Sequence, residues 1–527
     1  MGSLPPRSFR YDQVSYPTGA FDDTHPRRLA TLAALYGLSA ATAPSFSGAR
    51  ILELGCGSGG NLIPMAYSLP AATLLGVDLA KQEIEAAQQS AAHLGLTNVA
   101  FRCLDILELT AELGTFDYIV AHGVYSWVPP AVQDRLLWVC GNLLSETGVA
   151  YVSYNTLPGG HVRQLLDEMM KYHTRRESDP AARVNQARAF TQTLVESVLP
   201  QDALYRGLLG AERDRIAKID SAVFFHDDLA ELNEAIFLHH FVDRAAAHGL
   251  RYLADAEFEY MHGHRFPRAA SFLSACRDRV EYEQYLDFLC CRTFRRTLLC
   301  RAAVPLAPAA IPEQAMQMWA VSYAVAESPQ AELFGPAPLR FRNRTGVVVG
   351  LGDGLAKVAL SCLIAVSPQA LHFDELLAVV TERMGAAGLD IPEPGARRAA
   401  LGELLVMLYS GDMVELFVQI PDAAVVPGVK PLASPLARSQ ARTTARVINL
   451  WHRNLLIDDA LALRLLPLLD GTRDQAALLA ALGNAPELAA RDAAPDATPD
   501  AAPDATPVAT AVASTLQKLA RLGLLLK

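Results

Sequence analysis

The stretch ILELGCGSGGN, Ile51 to Asn61, contains four glycines, at positions 55, 57, 59 and 60. An apolar run, an acid and then glycines before a helix-compatible segment predict a strand, a tight loop and the N-terminus of a helix. Because glycine lets the backbone approach a ligand closely, such a loop is typical of a turn that holds a nucleotide-like cofactor. The polar residues near the loop indicate which cofactor that is.

Acidic residues lie in or at the ends of the first three predicted strands, and one of them distinguishes two classes of cofactor. Asp78 ends the second strand, where an acid binds ribose hydroxyls in nicotinamide dehydrogenases and in S-adenosylmethionine enzymes alike. Glu53 is more informative, because its carboxylate would attract a sulfonium and an ammonium but would repel a pyrophosphate. Asp105, after the third strand, is placed to accept a hydrogen bond from an adenine amino group, and a helix or turn cap is the alternative interpretation.

Strands and helices alternate from Ala49 onward. The predicted strands are RILELG, TLLGVD, VAFRCLD, FDYIVAHG and GVAYVSYN, and the predicted helices cover 60–69, 80–94 and 130–144. This alternation predicts an α/β fold, a parallel sheet with helices on both faces. Ligands of such sheets bind beyond the carboxyl ends of the strands.

The same segments resemble the class I S-adenosylmethionine-dependent methyltransferases. LELGCGSGGN, GVDLAKQEIEAA, FRCLDILEL and FDYIVAHGVYSWVP follow the order and spacing of the motifs of that family. The resemblance implies a Rossmann-like, seven-stranded core, S-adenosyl-L-methionine as the cofactor, and no metal. It assigns the methionine part of the cofactor to Glu53, Gly55, Gly57 and Asn61, the ribose to Asp78, the adenine to Asp105, and a position facing the cofactor to His122. Further cofactor-binding residues that it implies are Cys56, Leu79 and Ile106.

A narrower resemblance covers most of the chain. YDQVSYPTGAF, HGVYSWVP, VSYNTLPGGH, FFHDDLAELNEAIFLHHFVDRAAAHGLRYLADAEF and YLDFLCCRTFRRTLLCR are similar to bacterial methyltransferases that carry a methyltransferase regulatory domain. Their relatives include the rickettsial protein lysine methyltransferases. The resemblance implies a protein substrate with an accessible lysine and a homodimer.

An amine methyltransferase must align its acceptor with the methyl group and present the amine in its neutral form. A lysine with a pKa near 10.4 requires about 4–5 kcal/mol for deprotonation at pH 7, and an apolar, aromatic channel lowers that requirement. The candidates for such a channel lie at the carboxyl ends of the fourth and fifth strands: Tyr125, Trp127, Tyr154 and Asn155. For Trp127, burial in the core is an equally favoured interpretation.

Changes of pattern along the chain predict six segments. They are an N-terminal arm and helix covering the cofactor site (1–48), the cofactor-binding core (49–161), a helical insertion (162–235), a regulatory segment that completes the sheet (236–302), and two winged-helix-like α+β modules (303–430 and 431–527). A separate helical domain is the alternative interpretation of the insertion. The Ala/Pro/Asp repeat predicts a disordered loop over 484–510.

Composition narrows the range of functions. The net charge of -10 provides no general attraction for nucleic acid. The most apolar stretch, GVVVGLGDGLAKVALSCLIAV, is too interrupted by Asp353, Lys357 and glycines to be a membrane helix. The eight cysteines lack a CxxC pair and the histidines lack a metal-ligand spacing, so we expect reduced thiols, no metal site and a cytoplasmic protein. Three alternatives stay open: a small-molecule methyltransferase of a biosynthetic pathway, a non-catalytic S-adenosylmethionine-sensing protein and, least favoured, a nicotinamide dehydrogenase.

Overall fold

The computed structural model describes residues 14, 16–38, 46–327, 333–335, 337–389, 391–483 and 505–527, without the side chains of 505–507. Of the predicted loop over 484–510, residues 484–504 lie outside the described residues, and a helix begins at Ala505.

A seven-stranded sheet forms the centre of the first 301 residues, with the strand order β3-β2-β1-β4-β5-β7-β6. Strand β7 runs antiparallel to both of its neighbours, whereas the pairs from β3 to β5 are parallel. This arrangement confirms the predicted α/β class and the Rossmann-like core. The strands are β1 (Arg50–Leu54), β2 (Thr73–Asp78), β3 (Val99–Cys103), β4 (Phe116–Ala121), β5 (Leu144–Asn155), β6 (Leu250–Asp255) and β7 (Phe294–Arg301).

Helices cover both faces of this sheet, which is why its central strands are apolar along almost their whole length. Leu29, Leu62 and Ile84 pack on one face, and Leu136 and Phe241 pack on the other. The helices of this region are α1 (Pro26–Leu35), α2 (Leu62–Ser68), α3 (Lys81–His93), α4 (Pro130–Leu143), α9 (Leu238–Ala246), α10 (Ala270–Leu273) and α11 (Arg279–Cys290).

Four helices between β5 and α9 build a core of their own. Leu166, Val184, Leu209 and Phe224 meet there, one from each helix. The helices are α5 (Gly159–His173), α6 (Pro180–Ser197), α7 (Ala203–Lys218) and α8 (Ser221–Asp227). The main chain returns to the sheet at a bridge between Thr156 and Ile236, so these four helices lie between two parts of the chain that contribute strands to the sheet.

Two smaller α+β modules follow the sheet. The first contains α12 (Pro312–Ala315), β8 (Trp319–Val321), β9 (Val325–Ala326), β10 (Leu339–Arg342), β11 (Val348–Leu351), α13 (Gly354–Val366), β12 (Leu371–His372), α14 (Phe373–Ala386), α15 (Pro394–Ser410) and β13 (Glu415–Phe417). The second contains α16 (Pro435–Gln440), β14 (Arg446–Ile448), β15 (Asn454–Leu456), α17 (Ala460–Leu465), α18 (Gln475–Leu482) and α19 (Ala505–Arg521). In the second, Leu465, Leu478 and Leu519 from three helices form the centre of a compact core.

Candidate cofactor site

The glycine loop after β1 adopts a backbone that side chains would prevent. Gly55, Gly57 and Gly59 have φ values of +74°, +50° and +77°, in the left-handed region that glycine occupies without strain. A Cβ atom at Gly55 would lie 2.5 Å from the Cγ2 atom of Val124, which follows β4. The loop is therefore pressed against the end of the neighbouring strand, as a cofactor-binding turn requires.

Asp78, the last residue of β2, accepts hydrogen bonds that hold this loop in place. Its Oδ2 atom accepts a hydrogen bond from the amide of Gly57 and its Oδ1 atom accepts one from the amide of Ala80, both at 2.8 Å. Cys56 is buried beneath the loop, whereas the Leu79 side chain is 50% exposed. A carboxylate and an exposed apolar side chain thus lie together beside the loop, an arrangement suited to a ribose and the adenine ring next to it.

Asp105 and Ile106 begin the short helical turn after β3. The Oδ1 atom of Asp105 accepts a hydrogen bond from the amide of Leu107 at 2.9 Å, so Asp105 does act as a cap. Both residues are only partly buried. Capping uses one carboxylate oxygen, and the predicted contact of Asp105 to adenine stays a prediction.

Glu53 is buried in β1 with one oxygen free. Its Oε1 atom accepts a hydrogen bond from Asn61 at 2.7 Å, and its Oε2 atom has no hydrogen-bond partner among the described residues. Burial, partly opposed by the Asn61 hydrogen bond and assisted by the charge of Asp78, raises the pKa of Glu53 to about 8. A buried carboxylate oxygen without a partner requires a donor, and the ammonium of a bound amino acid would supply one.

His122, which follows β4, lies in a stack of rings. Its ring centroid is 3.8 Å from that of Phe21, and its Nδ1 atom is 2.9 Å from the hydroxyl of Tyr151. The Tyr151 hydroxyl donates to Asp23 at 3.1 Å, and Arg296 pairs with Asp23 at 2.7 Å. Burial and the charge of Arg296 lower the pKa of His122 to about 3, so the imidazole is neutral at physiological pH.

An extended arm before α1 covers the glycine loop. A Cβ atom at Gly60 would lie 2.5 Å from the Cβ atom of Thr18. The amide of Phe21 donates to the Oδ1 atom of Asn61 at 3.0 Å, and Ser58 donates to the Thr18 hydroxyl at 3.2 Å. Sequence reasoning missed Phe21, Asp23 and Tyr151 as site residues because the first two precede the sheet and the third lies inside a strand.

Two of the four candidates for an acceptor channel lie in the core instead. Tyr125 and Tyr154 are almost fully buried, and both rings pack on Phe241, at 5.1 and 4.2 Å between centroids. The hydroxyl of Tyr154 is 2.9 Å from that of Thr297, and Arg244 donates to the hydroxyl of Tyr125 at 3.3 Å. Successive residues of a strand point to opposite faces, which puts Tyr154 on the α4/α9 face while its neighbour Asn155 points the other way.

Trp127 and Asn155 keep positions compatible with an acceptor channel. Trp127 is partly buried in the short helical turn that follows β4. Asn155 lies at the end of β5. Its side-chain Nδ2 atom donates to the Oδ1 atom of Asn233 at 2.6 Å, and its main-chain amide donates to the Ser126 hydroxyl at 2.9 Å. The loop that contains Asn233 therefore closes over the ends of both strands.

Tyr154→Phe is expected to retain kcat and to lose about 1–2 kcal/mol of unfolding free energy, because it removes a buried hydrogen bond and leaves Thr297 without its partner. The measurements are steady-state methyl transfer and urea denaturation. A large fall in kcat at unchanged stability would contradict the packing role and return Tyr154 to the channel.

No group of three or more His, Cys, Asp or Glu side chains that could hold a metal occurs among the described residues. Over the same part of the chain, none of the helices is sufficiently long and apolar to cross a bilayer.

Comparison with known proteins agrees with this geometry. A family model described as a methyltransferase domain matches residues 45–196, and one described as a predicted methyltransferase regulatory domain matches residues 220–301. A third, described as the C-terminal winged helix domain of PKMT, matches residues 430–524. The protein RP028 of Rickettsia prowazekii is 36% identical over 235 residues, which is 45% of this chain and 93% of that protein. The chain belongs to the S-adenosylmethionine-dependent methyltransferases that carry a methyltransferase regulatory domain.

Two further relatives extend the comparison. RP789 of Rickettsia prowazekii is 40% identical over 291 residues, which is 55% of this chain and about half of that protein, 52%. The solved structure of PKMT2 from Rickettsia typhi in complex with AdoHcy has a TM-score of 0.84 and 27% identity, and the alignment covers 97% of this chain and 100% of that one. AdoHcy is the demethylated product of S-adenosylmethionine.

The cofactor of this methyltransferase is therefore S-adenosylmethionine, and the residues present fit it. Cβ atoms at Gly55, Gly59 and Gly60 would lie 2.5, 2.9 and 2.5 Å from their nearest neighbouring atoms. The Oε2 atom of Glu53, which has no partner among the described residues, offers an acceptor to the ammonium. Leu79 and Ile106, the apolar residues that follow Asp78 and Asp105 in the sequence, are exposed and partly buried, respectively. The contact of each of these residues with the cofactor stays a prediction.

Proposed function

We propose that this methyltransferase methylates the side-chain nitrogen of lysine residues in a protein. The observation that carries the proposal is the match to PKMT2 of Rickettsia typhi over 97% of the chain, which includes both C-terminal modules. The model for the PKMT winged helix domain supports it independently over residues 430–524. The two C-terminal modules are not needed to bind a small methyl donor. Their size suits an enzyme whose acceptor is a macromolecule.

The proposed acceptor site lies beyond the ends of β4 and β5, between the arm and the loop that contains Asn233. S-adenosylmethionine supplies an electrophilic methyl group. The protein must hold the lysine nitrogen in line with that group and keep it unprotonated. Trp127 and the partly buried rings of Phe21 and Phe294 would surround the lysine side chain, and an apolar environment lowers the pKa of an amine.

Asn155 and Asp23 are the polar groups that we assign to this region. The side-chain amide of Asn155, held by Asn233, would orient the lysine nitrogen. Burial raises the pKa of Asp23 to about 6, against the opposing charge of Arg296. His122 is neutral and adds no positive charge that would repel a lysine. Tyr125 and Tyr154 support the site from behind by packing on Phe241.

The test is to incubate the purified protein with methyl-labelled S-adenosylmethionine and fractions of a cell lysate. Label in a protein band, mapped to lysine by mass spectrometry, supports the proposal and identifies the acceptor. Gly55→Val is the matched control, because its side chain would collide with Val124 in the cofactor loop. Label confined to small molecules contradicts the proposal and favours a biosynthetic enzyme, and cofactor binding without any transfer favours the S-adenosylmethionine sensor.

We also propose that the protein forms a homodimer through the helical insertion. Helices α5 and α7 expose large apolar side chains, among them Tyr172 at 69% and Leu204 at 80%. Apolar side chains exposed together on one segment are typical of an interaction surface.

Leu204→Asp is expected to convert the dimer into a monomer, because the charge would be buried in the interface. The measurement is molar mass by light scattering after size exclusion. Val429→Asp is the control, since Val429 is 86% exposed in the C-terminal module and its replacement should leave the mass unchanged. A wild-type protein that is monomeric at micromolar concentration would contradict the dimer.

A further inference from the structure

The turn between β14 and β15, residues 449–453, reaches from the C-terminal module to the cofactor loop. The Nε2 atom of His452 in this hairpin turn lies 2.7 Å from the Oδ1 atom of Asn61, 391 positions away in the sequence. Asn61 is the residue that donates to Glu53 at 2.7 Å. Two hydrogen bonds thus connect the last module of the chain to the buried carboxylate of the cofactor site.

The hydrogen-bond partners determine the direction of this connection. The Oδ1 atom of Asn61 accepts from the amide of Phe21, and its Nδ2 atom donates to Glu53, so the orientation of the Asn61 amide is fixed. His452 must therefore carry its proton on Nε2 and donate it to Asn61. Burial lowers the pKa of His452 to about 3, which keeps the imidazole neutral with Nδ1 unprotonated.

The arm lies between the hairpin turn and the glycine loop with little free space. Asn454 pairs with Ala20 twice: its Nδ2 donates to the carbonyl at 2.7 Å, and its Oδ1 accepts from the amide at 3.1 Å. A Cβ atom at Gly19 would lie 2.8 Å from Asn454, and one at Gly60 would lie 2.8 Å from the amide nitrogen of Gly19. The backbone of the arm is thus in close contact with both neighbours.

Ion pairs and a main-chain hydrogen bond hold the hairpin turn itself in place. Arg453 pairs with Asp22 of the arm at 3.0 Å and with Glu415 of the preceding module at 2.6 Å. The amide of Leu450 donates to the carbonyl of Gly523 at 2.9 Å, after the last helix of the chain. The turn is therefore supported by the whole C-terminal module and is not a free loop.

We propose that His452 is a cofactor-positioning residue, which acts through Asn61 to hold Glu53 and the arm in the arrangement that binds S-adenosylmethionine. The C-terminal module then contributes to cofactor affinity within the same chain, separately from any contact it makes with an acceptor. The proposal goes beyond the methylation of lysine, because its measurement is cofactor binding and a failure to find a lysine substrate would leave it unaffected.

The experiment measures the Kd of S-adenosylhomocysteine for the full chain by titration calorimetry. His452→Ala is expected to raise this Kd about tenfold, the effect of one buried hydrogen bond. Asn454→Asp is the second variant, because it replaces the donor that faces the Ala20 carbonyl with an acceptor of the same shape, and we expect a rise of several-fold. Leu456→Ala is the control: this side chain is 71% exposed in the same hairpin, and its Kd should equal that of the wild type.

Two conservative variants separate the effect of the His452 hydrogen bond on affinity from the effect of backbone strain in the turn. His452 has a φ of +64°, a conformation that asparagine tolerates better than glutamine. The amide nitrogen of glutamine can occupy the position of Nε2, whereas that of asparagine is too short to reach Asn61. His452→Gln should therefore restore most of the affinity and His452→Asn should not, which is the reverse of the order that backbone strain alone predicts.

Folding of each variant is verified by circular dichroism before titration. A folded His452→Ala that binds within about twofold of the wild type would overturn the proposal. The same holds if asparagine restores affinity and glutamine does not, or if Leu456→Ala weakens binding as much as His452→Ala does. The last result would show that only the stability of the module matters.

Discussion

Replacing Arg295 with methionine is expected to lower the free energy of unfolding by about 3–5 kcal/mol, the usual effect of removing one member of a buried charge cluster. Arg295 lies on β7 with no exposed surface. Its guanidinium contacts Asp287 at 2.8 Å, Glu283 at 3.2 Å and Asp255 at 3.3 Å. Methionine fills a similar volume but leaves those carboxylates without their main cation.

The measurement is denaturant unfolding of the full chain, and Arg251→Met is the matched control. Arg251 lies on β6 with its side chain exposed, so its replacement should change stability by less than about 1 kcal/mol. An Arg295→Met protein as stable as this control would contradict the assignment. It would mean that the carboxylates become protonated or hydrated at little cost in free energy.

The charge cluster around Arg295 lies in the segment that the regulatory domain model matches, and it indicates a structural role for that segment. The three carboxylates come from β6 and α11, and Arg292 adds a second buried cation that pairs with Asp255 at 2.9 Å. Strand β7 pairs with β5 over six residues, so the sheet domain would be left with an open edge if the segment were removed. We therefore expect the segment to complete the fold, and its loss to unfold the protein instead of deregulating it.

Most of the sheet domain was predictable because local patterns and tertiary structure agree there. Apolar strands ending in a glycine loop, Asp78 and Asp105 come in an order with few alternative folds. The segment over 236–302, predicted to complete the sheet, contributes strands β6 and β7 to it. Prediction succeeded for residues at the carboxyl ends of parallel strands, because all of these ends meet at the same edge of the sheet.

The channel residues and the contacts between the arm and the C-terminal module were less predictable, for two physical reasons. At the end of a strand, adjacent residues point to opposite faces, and the sequence alone did not show which of Tyr154 and Asn155 faced the site. The contacts of His452 and Asn454 depend on how separate modules pack, and no local pattern encodes such packing. A left-handed histidine in a turn gives no signal in the sequence.

The affinity for S-adenosylhomocysteine is expected to rise about tenfold or more between pH 6 and pH 8, because Glu53 must lose its proton to attract the ammonium of the ligand. Its folded-state pKa of about 8 lies above the ordinary value of 4.5. Below pH 8, ligand binding therefore has to remove the proton from Glu53, which weakens the affinity. This loss of affinity becomes smaller as the pH rises. Folding stability shows the opposite trend: the contribution of Glu53 is fully present below about pH 4.5 and is lost as the pH rises through about 8.

Glu53→Gln separates this effect from all other titrations, because glutamine keeps the shape and the acceptor oxygen but has no proton to lose. We expect this variant to bind weakly at pH 8, to show almost no pH dependence between pH 6 and pH 8, and to gain stability relative to the wild type at pH 8. Asp23, with a pKa of about 6, is common to both proteins, so its effect cancels in the comparison. Calorimetric titrations at three pH values in buffers of different ionisation enthalpy would count the protons released, and equal pH profiles for the two proteins would exclude Glu53 as the group responsible.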